Sequence, residues 1–323
     1  MRPQAMIQDL SQPTNLPDFS NLDMNFDIVD SHHHLFDLNK IYYPWLTDKP
    51  EENFLLGDYR SIKKDYSTNA YCADLNNLRV VKTVHVEAEA DHTNPLLETH
   101  WLMETKKNKK IPDAIVAHAW LDVAETEEIL EAQSCFESVK GIRSKPITSA
   151  SPASVKSVRG KPRSMQDPEW RNGLGLLRKF NLSWDLRVPF WHLVEAADVC
   201  ALYSDLPIVI EHTGLAWDRS EEGLAEWRKG MKKLAEYEHV FLKISELGLA
   251  DRPWDYYENR QIVREAIALF GFKRCMFASN FPVSGLRISY TDQAKAIAHM
   301  IKDCSNTERR SLFHDSATYF YRL

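Results

Sequence analysis

Eight short apolar runs, separated by stretches of helical spacing, constrain this chain more than any other feature. The first is Ile28-Val29, which runs straight into Asp30-Ser31-His32-His33-His34. The others cover 80–89, 113–121, 138–145, 182–188, 206–212, 239–247 and 274–281. Helical spacing of apolar residues fills 95–107, 125–135, 190–203, 222–236, 258–270, 290–302 and 306–320, and Asp167-Pro168 is an acid-then-proline helix start. Short apolar strands that alternate with helices pair in parallel. Eight of them predict an α/β fold closed into a (β/α)8 TIM barrel. A doubly wound open sheet is the competing arrangement. It normally carries a glycine-rich phosphate loop after the first strand. Here Ser31-His32-His33-His34 stands at that place, and the 323 residues include only 11 Gly.

The barrel is expected to span 27–323 as one domain. Residues 1–26, polar and broken by Pro3, Pro13 and Pro17, read as an N-terminal arm. Residues 146–166 read as a basic insertion carrying Lys156, Arg159, Lys161 and Arg163. It is either a solvated loop or a lid that attracts an anion. A net charge of −6 argues against nonspecific nucleic-acid binding. No apolar stretch approaches the length of a membrane span or a signal-peptide core. Five scattered cysteines without a C-x-x-C pair suit reduced thiols and a cytoplasmic setting. The expected partner is a small acidic molecule, and a homo-oligomer is compatible with this composition.

Barrel chemistry sits at the C-terminal ends of the strands. Those ends collect His32 and His34, Glu87, Arg143, Asp185, His212, Lys243 and Asn280. Side chains two apart on a strand share a face, so His32 and His34 converge. They suit one divalent metal such as zinc, or direct polarisation of a carbonyl with no metal required. Alternation puts Ile208, Ile210 and His212 on one face and turns Glu211 away. Arg143 can grip a carboxylate, or pair with Asp185. Asp185, Glu87 or Glu246 can serve as general base, although Glu87 also reads as a buried structural acid. Lys243 reads as a substrate ligand or a barrel ion-pair partner. His33, His85, His118 and His192 read as structural. The aromatic stretch 35–65, with Trp45, follows the first strand and either covers a pocket or plugs the body. No G-x-S-x-G elbow is present, which argues against a serine nucleophile.

The run Asp30-Ser31-His32-His33-His34, followed by Tyr43-Pro44-Trp45-Leu46, resembles the opening of the amidohydrolase-related (amidohydrolase-2) barrel proteins. It is most similar to the lactonase branch that acts on pyrone dicarboxylates, sulfomuconolactone and sugar lactones. Glu98-Thr99-His100-Trp101-Leu102, Gly141-Ile142-Arg143, Glu211-His212-Thr213-Gly214, Lys243-Ile244-Ser245 and Ser279-Asn280-Phe281-Pro282-Val283 follow in the family's order. The resemblance implies a distorted (β/α)8 barrel. It implies that His32, His34 and His212 contact the scissile carbonyl or a divalent metal, and that Arg143 lies near a substrate carboxylate. One departure matters: Asn280 stands where many amidohydrolases carry a basic aspartate.

These features predict a hydrolase that opens a lactone, or a related ester or C–N bond, of a small carboxylated compound. His32, His34 and His212 would polarise the carbonyl, with Glu87 or Asp185 activating water. Arg143, Asn280, Lys243 and Trp45 would bind the substrate. The alternatives are a metal-dependent decarboxylase on the same scaffold and a non-catalytic metabolite-binding relic, the latter suggested by Asn280.

Overall fold

The computed structural model describes residues 10–52 and 54–323. The start of the expected arm, 1–9, lies outside the described residues. From residue 10 the arm lies on the body. Thr14 N donates to Trp254 O at 2.8 Å, and Leu16, Phe19, Leu22 and Phe26 pack on the core. Among the described residues no helix is long and apolar enough to cross a membrane.

Eight parallel strands run in chain order: β1 Ile28–His33, β2 Val80–Val86, β3 Ala114–Ala117, β4 Val139–Ile142, β5 Ser183–Leu186, β6 Ile208–Ile210, β7 Val240–Ile244 and β8 Cys275–Phe277. The segment after β8 returns to β1. Asn280 N donates to His32 O at 2.7 Å and His34 N to Phe281 O at 2.8 Å. The sheet is thereby drawn into a (β/α)8 barrel with helices outside it.

Two apolar layers follow from strand alternation. Ile28, Ile142, Trp184, Leu186, Ile208, Ile210, Leu242, Ile244 and Phe277 pack against the helices. Val29, Val84, Val86, Val116, Val209, Phe241 and Met276 form the inner layer. The last helix, Ser316–Tyr321, sends Phe320 and Tyr321 into that layer and closes one end of the barrel.

Two local deviations place the site. Asp30 and His33 of β1 pair with Thr83 and His85, so three steps on β1 match two on β2. That extra residue is a bulge. It turns His32 and His34 inward and leaves His33 stacked on Tyr71, with ring centroids 4.4 Å apart. On β6 the inner residue is Val209, opposite to the expected parity. Glu211 therefore points into the barrel, which corrects the sequence expectation. His212 and Thr213 have left the strand, with φ of 58° and 54°, and the twist brings His212 inward beside Glu211.

Helix positions follow the sequence closely. Asp167 caps Pro168–Leu176, accepting from Glu169 N at 3.1 Å. The expected final helix over 306–320 is interrupted by a π-turn at Ser311–Asp315. In the 146–166 insertion, Lys156, Arg159 and Lys161 are exposed and do not line the cleft. Arg163 packs over Trp120 at 4.0 Å and bonds Asp122 at 2.9 Å. Its basic residues thus behave as a solvated loop rather than an anion-attracting lid.

Candidate active site

The C-terminal ends of the strands open into a cleft of about 1220 Å³, with His34, Trp45, Arg143, Arg187, His212 and Asn280 among its walls. Five non-glycine residues at these ends, Glu89, His212, Thr213, Glu246 and Asn280, hold φ of 57°, 58°, 54°, 46° and 55°. Such conformations cost on the order of 1–3 kcal/mol each and cluster at functional sites.

His32 and His34 meet Nε2 to Nε2 at 3.3 Å. His34 Nδ1 lies 2.8 Å from Val86 O. Only a donor fits against a carbonyl, so the proton of this ring sits on Nδ1. Burial pushes His34 down to about 3 and His32 well below its ordinary value, which keeps both rings neutral. The bare Nε2 of His34 therefore faces Asn280 Oδ1 at 3.1 Å, acceptor against acceptor. Asn280 gives its Nδ2 to Glu246 Oε2. His32 Nδ1 lies 3.3 Å from Glu211 Oε1 and 3.4 Å from Lys243 Nζ, between an acceptor and a donor.

The lone pairs of His34 Nε2 and Asn280 Oδ1 converge without a donor between them, and such a pair fits a cation. Nitrogens bound at about 2.0–2.1 Å to a tetrahedral zinc stand about 3.4 Å apart, close to the His32–His34 spacing. His32 and His34 therefore fit a divalent ion. His32, Glu211 and His212 form a second grouping, with one ligand atom from each within 4.8 Å of the others.

Glu211 is the electrostatic centre of the floor. Its Oε2 lies 3.2 Å from Arg143 Nη1 and 3.6 Å from His212 Nε2. Burial alone would raise its pKa, but Arg143, His212 and Lys243 outweigh that and hold it down to about 2. Glu87 likewise stays ionised. Burial opposes ionisation, but Arg143, donating from Nε at 2.5 Å, holds the carboxyl well below its usual range. All three guanidinium nitrogens of Arg143 are thus engaged, the third donating to Glu87 O. This corrects the expectation that Arg143 is free to grip a substrate.

Asp185 and Lys243 are also corrected. Both are buried inside the barrel and neither lines the cleft. Lys243 Nζ donates to Asp185 Oδ2 at 2.5 Å, and Tyr321 OH donates to the same oxygen at 2.8 Å. The physical reason is position along the strand. Asp185 and Lys243 sit within β5 and β7, and the cleft lining begins further on, at Arg187 after β5 and at Leu249 after β7. Arg187, the residue that sequence reasoning missed, shares a face with Asp185. Among the described cations lining the cleft it alone makes no hydrogen bond or ion pair.

His212 Nδ1 lies 3.0 Å from Ser245 Oγ, and burial pushes its pKa well below the usual value. Glu246 is buried, and burial pushes it up to about 7. Its Oε2 also accepts from Ser284 Oγ at 3.2 Å, and its Oε1 has no partner. Trp45 gives its Nε1 to Ala88 O at 2.8 Å and stacks on Phe54, so it offers the cleft an apolar face.

Solved structures share this architecture. An amidohydrolase from Burkholderia multivorans with bound Zn superimposes with a TM-score of 0.76 at 23% identity, covering 92% of this chain and all of the other. A probable 2-pyrone-4,6-dicarboxylic acid hydrolase from Acinetobacter baumannii, with citric acid bound, gives 0.66 at 16%, again covering 92% and 100%. In sequence, the chain is 37% identical over 298 residues to the uncharacterized protein y4mH of Sinorhizobium fredii, covering 92% of this chain and 98% of that one. It is 24% identical over 307 residues to the L-fucono-1,5-lactonase of Burkholderia multivorans, covering 91% and 96%. The amidohydrolase family model matches residues 29–323, and the chain belongs to that family.

Proposed function

We propose that the protein hydrolyses a lactone, or a related activated ester, of a small carboxylated compound. The observation that carries this reading is the meeting of three buried, neutral imidazoles, His32, His34 and His212, beside the unpaired guanidinium of Arg187. The lactonase relative supports the reaction class.

A divalent metal held by His32 and His34 would supply Lewis-acid polarisation and a more acidic water. The protein's own groups divide the remaining work. Ser245 Oγ, donating to His212 Nδ1, leaves the proton on Nε2. That N–H faces developing negative charge on the carbonyl oxygen. Arg187 holds the substrate carboxylate with parallel N–H bonds. Asn280 cannot take a proton. The base role passes to Glu246, the acid that Asn280 and Ser284 hydrogen-bond. Glu87 and Glu211 are held too acidic to serve, and they fix Arg143 instead.

The test is His212→Ala against a panel of carboxylated lactones, followed by proton release. Turnover should fall by about 100-fold or more, with the circular-dichroism spectrum retained. Near-parental turnover in a folded His212→Ala protein would sink this reading.

A further inference from the structure

The loop that follows His212 presents hydrogen-bond donors without acceptors. Trp217 Nε1 is buried with no partner, and so are Nε and Nη1 of Arg219. Both side chains line the cleft. Arg219 is anchored through Nη2, which donates to Asn259 Oδ1 at 3.1 Å and to Leu247 O at 3.3 Å. Neighbouring acids are committed elsewhere. Asp218 accepts from Ser220 N at 2.9 Å, and Glu258, 3.6 Å from Arg252, makes no hydrogen bond or ion pair with Arg219 although its charge reaches it. Burial brings Arg219 down to about 10, so it remains a cation at neutral pH.

Three buried donor atoms without an acceptor, two of them on a cation, are the complement of an oxyanion. The helix Glu221–Ala235 begins two residues after Arg219 and adds its positive end, with Ser220 and Leu224 on the cleft wall. The same cleft has an aromatic wall. Trp191 and Trp217 meet edge-on with centroids 5.9 Å apart. Trp191 already gives its N–H to Ser149 Oγ at 3.1 Å, so it offers the cleft apolar surface. The cleft volume, about 1220 Å³, exceeds the roughly 300–1,000 Å³ of ordinary small-molecule sites. A single lactone ring leaves most of it unfilled.

We infer that Trp217 and Arg219 form a second, distal subsite that takes a carboxylate at the far end of an elongated substrate, whose middle lies along Trp191. The inference rests on the lactone reading for the chemistry at the histidine end. It narrows the substrate class to a lactone or ester carrying two separated acid groups, rather than a lone sugar ring.

The experiment is calorimetric binding to the purified full-length protein. The probes are the α,ω-dicarboxylates from glutarate to sebacate, each beside its monomethyl ester. Above a threshold length the diacid should bind at least about tenfold tighter than its half-ester, the value of one charge-assisted contact. Trp217→Phe, which keeps the ring and deletes the donor, should shrink that gap. Arg219→Gln should abolish it, and glutarate binding should not change in either variant. A half-ester that matches its diacid at every length, or a gap that survives both variants, would overturn the subsite. If the length-dependent gap holds but no lactone is turned over, the subsite stands and the lactonase reading falls. Because Arg219→Gln removes an anchoring contact, Trp217→Phe carries the test should the former fail to fold.

Discussion

Asn280 presents its amide oxygen to the bare Nε2 of His34 at 3.1 Å while donating its nitrogen to Glu246. The side chain therefore joins the histidine pair to a buried acid without being an acid itself. Replacing the amide nitrogen-oxygen pair by a carboxylate puts a negative charge against the lone pair of His34 Nε2, beside His32. Asn280→Asp should raise zinc affinity about tenfold or more, measured by competition with a chromogenic chelator. Unchanged affinity would remove His32 and His34 as a metal pair.

Glu98 sits behind the sheet, on the helix Leu97–Lys109. Its Oε1 accepts from Ala88 N at 3.0 Å and lies 3.3 Å from His85 Nε2. Burial, then the charge of Glu87, raises its pKa from 4.5 to about 8. A carboxyl whose native pKa is raised favours the folded state fully below its unfolded value. That contribution is lost as pH climbs through the native one. Stability should therefore decline between about pH 4.5 and 8 on account of this group, and Glu246, raised to about 7, acts with the same sign. Urea midpoints for Glu98→Gln should show a shallower decline than the parent between about pH 5 and 7.5. Parallel curves would show that Glu98 is ionised throughout.

The barrel was legible because eight apolar runs and their intervening helices obey one period each. The inward turn of His32 and His34 was legible only in outcome. Alternation from Val29 would send His32 outward, and the bulge between Asp30 and His33 reverses it. No residue type announces that bulge. The same blindness to where a strand ends misplaced Glu211 and pushed Asp185 and Lys243 into the cleft. Arg187 carried a usable signal, since it lies two residues beyond Asp185 on the same face. Its freedom depends on which arginine the acids Glu87 and Glu211 hold, and that is a tertiary fact.

Lys243 and Asp185 are wholly buried and paired at 2.5 Å. Removing one partner leaves an ion without compensation in a low-dielectric interior, whereas removing both does not. Lys243→Met should cost about 3–5 kcal/mol in urea denaturation. The double variant Lys243→Met/Asp185→Leu should recover a large part of that loss. A Lys243→Met protein as stable as the parent would show that Asp185 carries no charge there.

Arg143 and Arg187 both line the cleft, but only Arg187 has a guanidinium to spare, so their variants should separate. Arg143→Met leaves Glu87 and Glu211 buried without their cation and should lower the melting temperature. Arg187→Met breaks no existing bond. It should leave the melting temperature near the parental value and raise KM for carboxylated lactones about 10- to 100-fold, the worth of a two-pronged charge-assisted contact. Hydrolysis of uncharged lactones should be little affected, because that contact is then never made. If instead kcat collapses equally for charged and uncharged lactones, Arg187 acts on the reacting carbonyl rather than on the carboxylate.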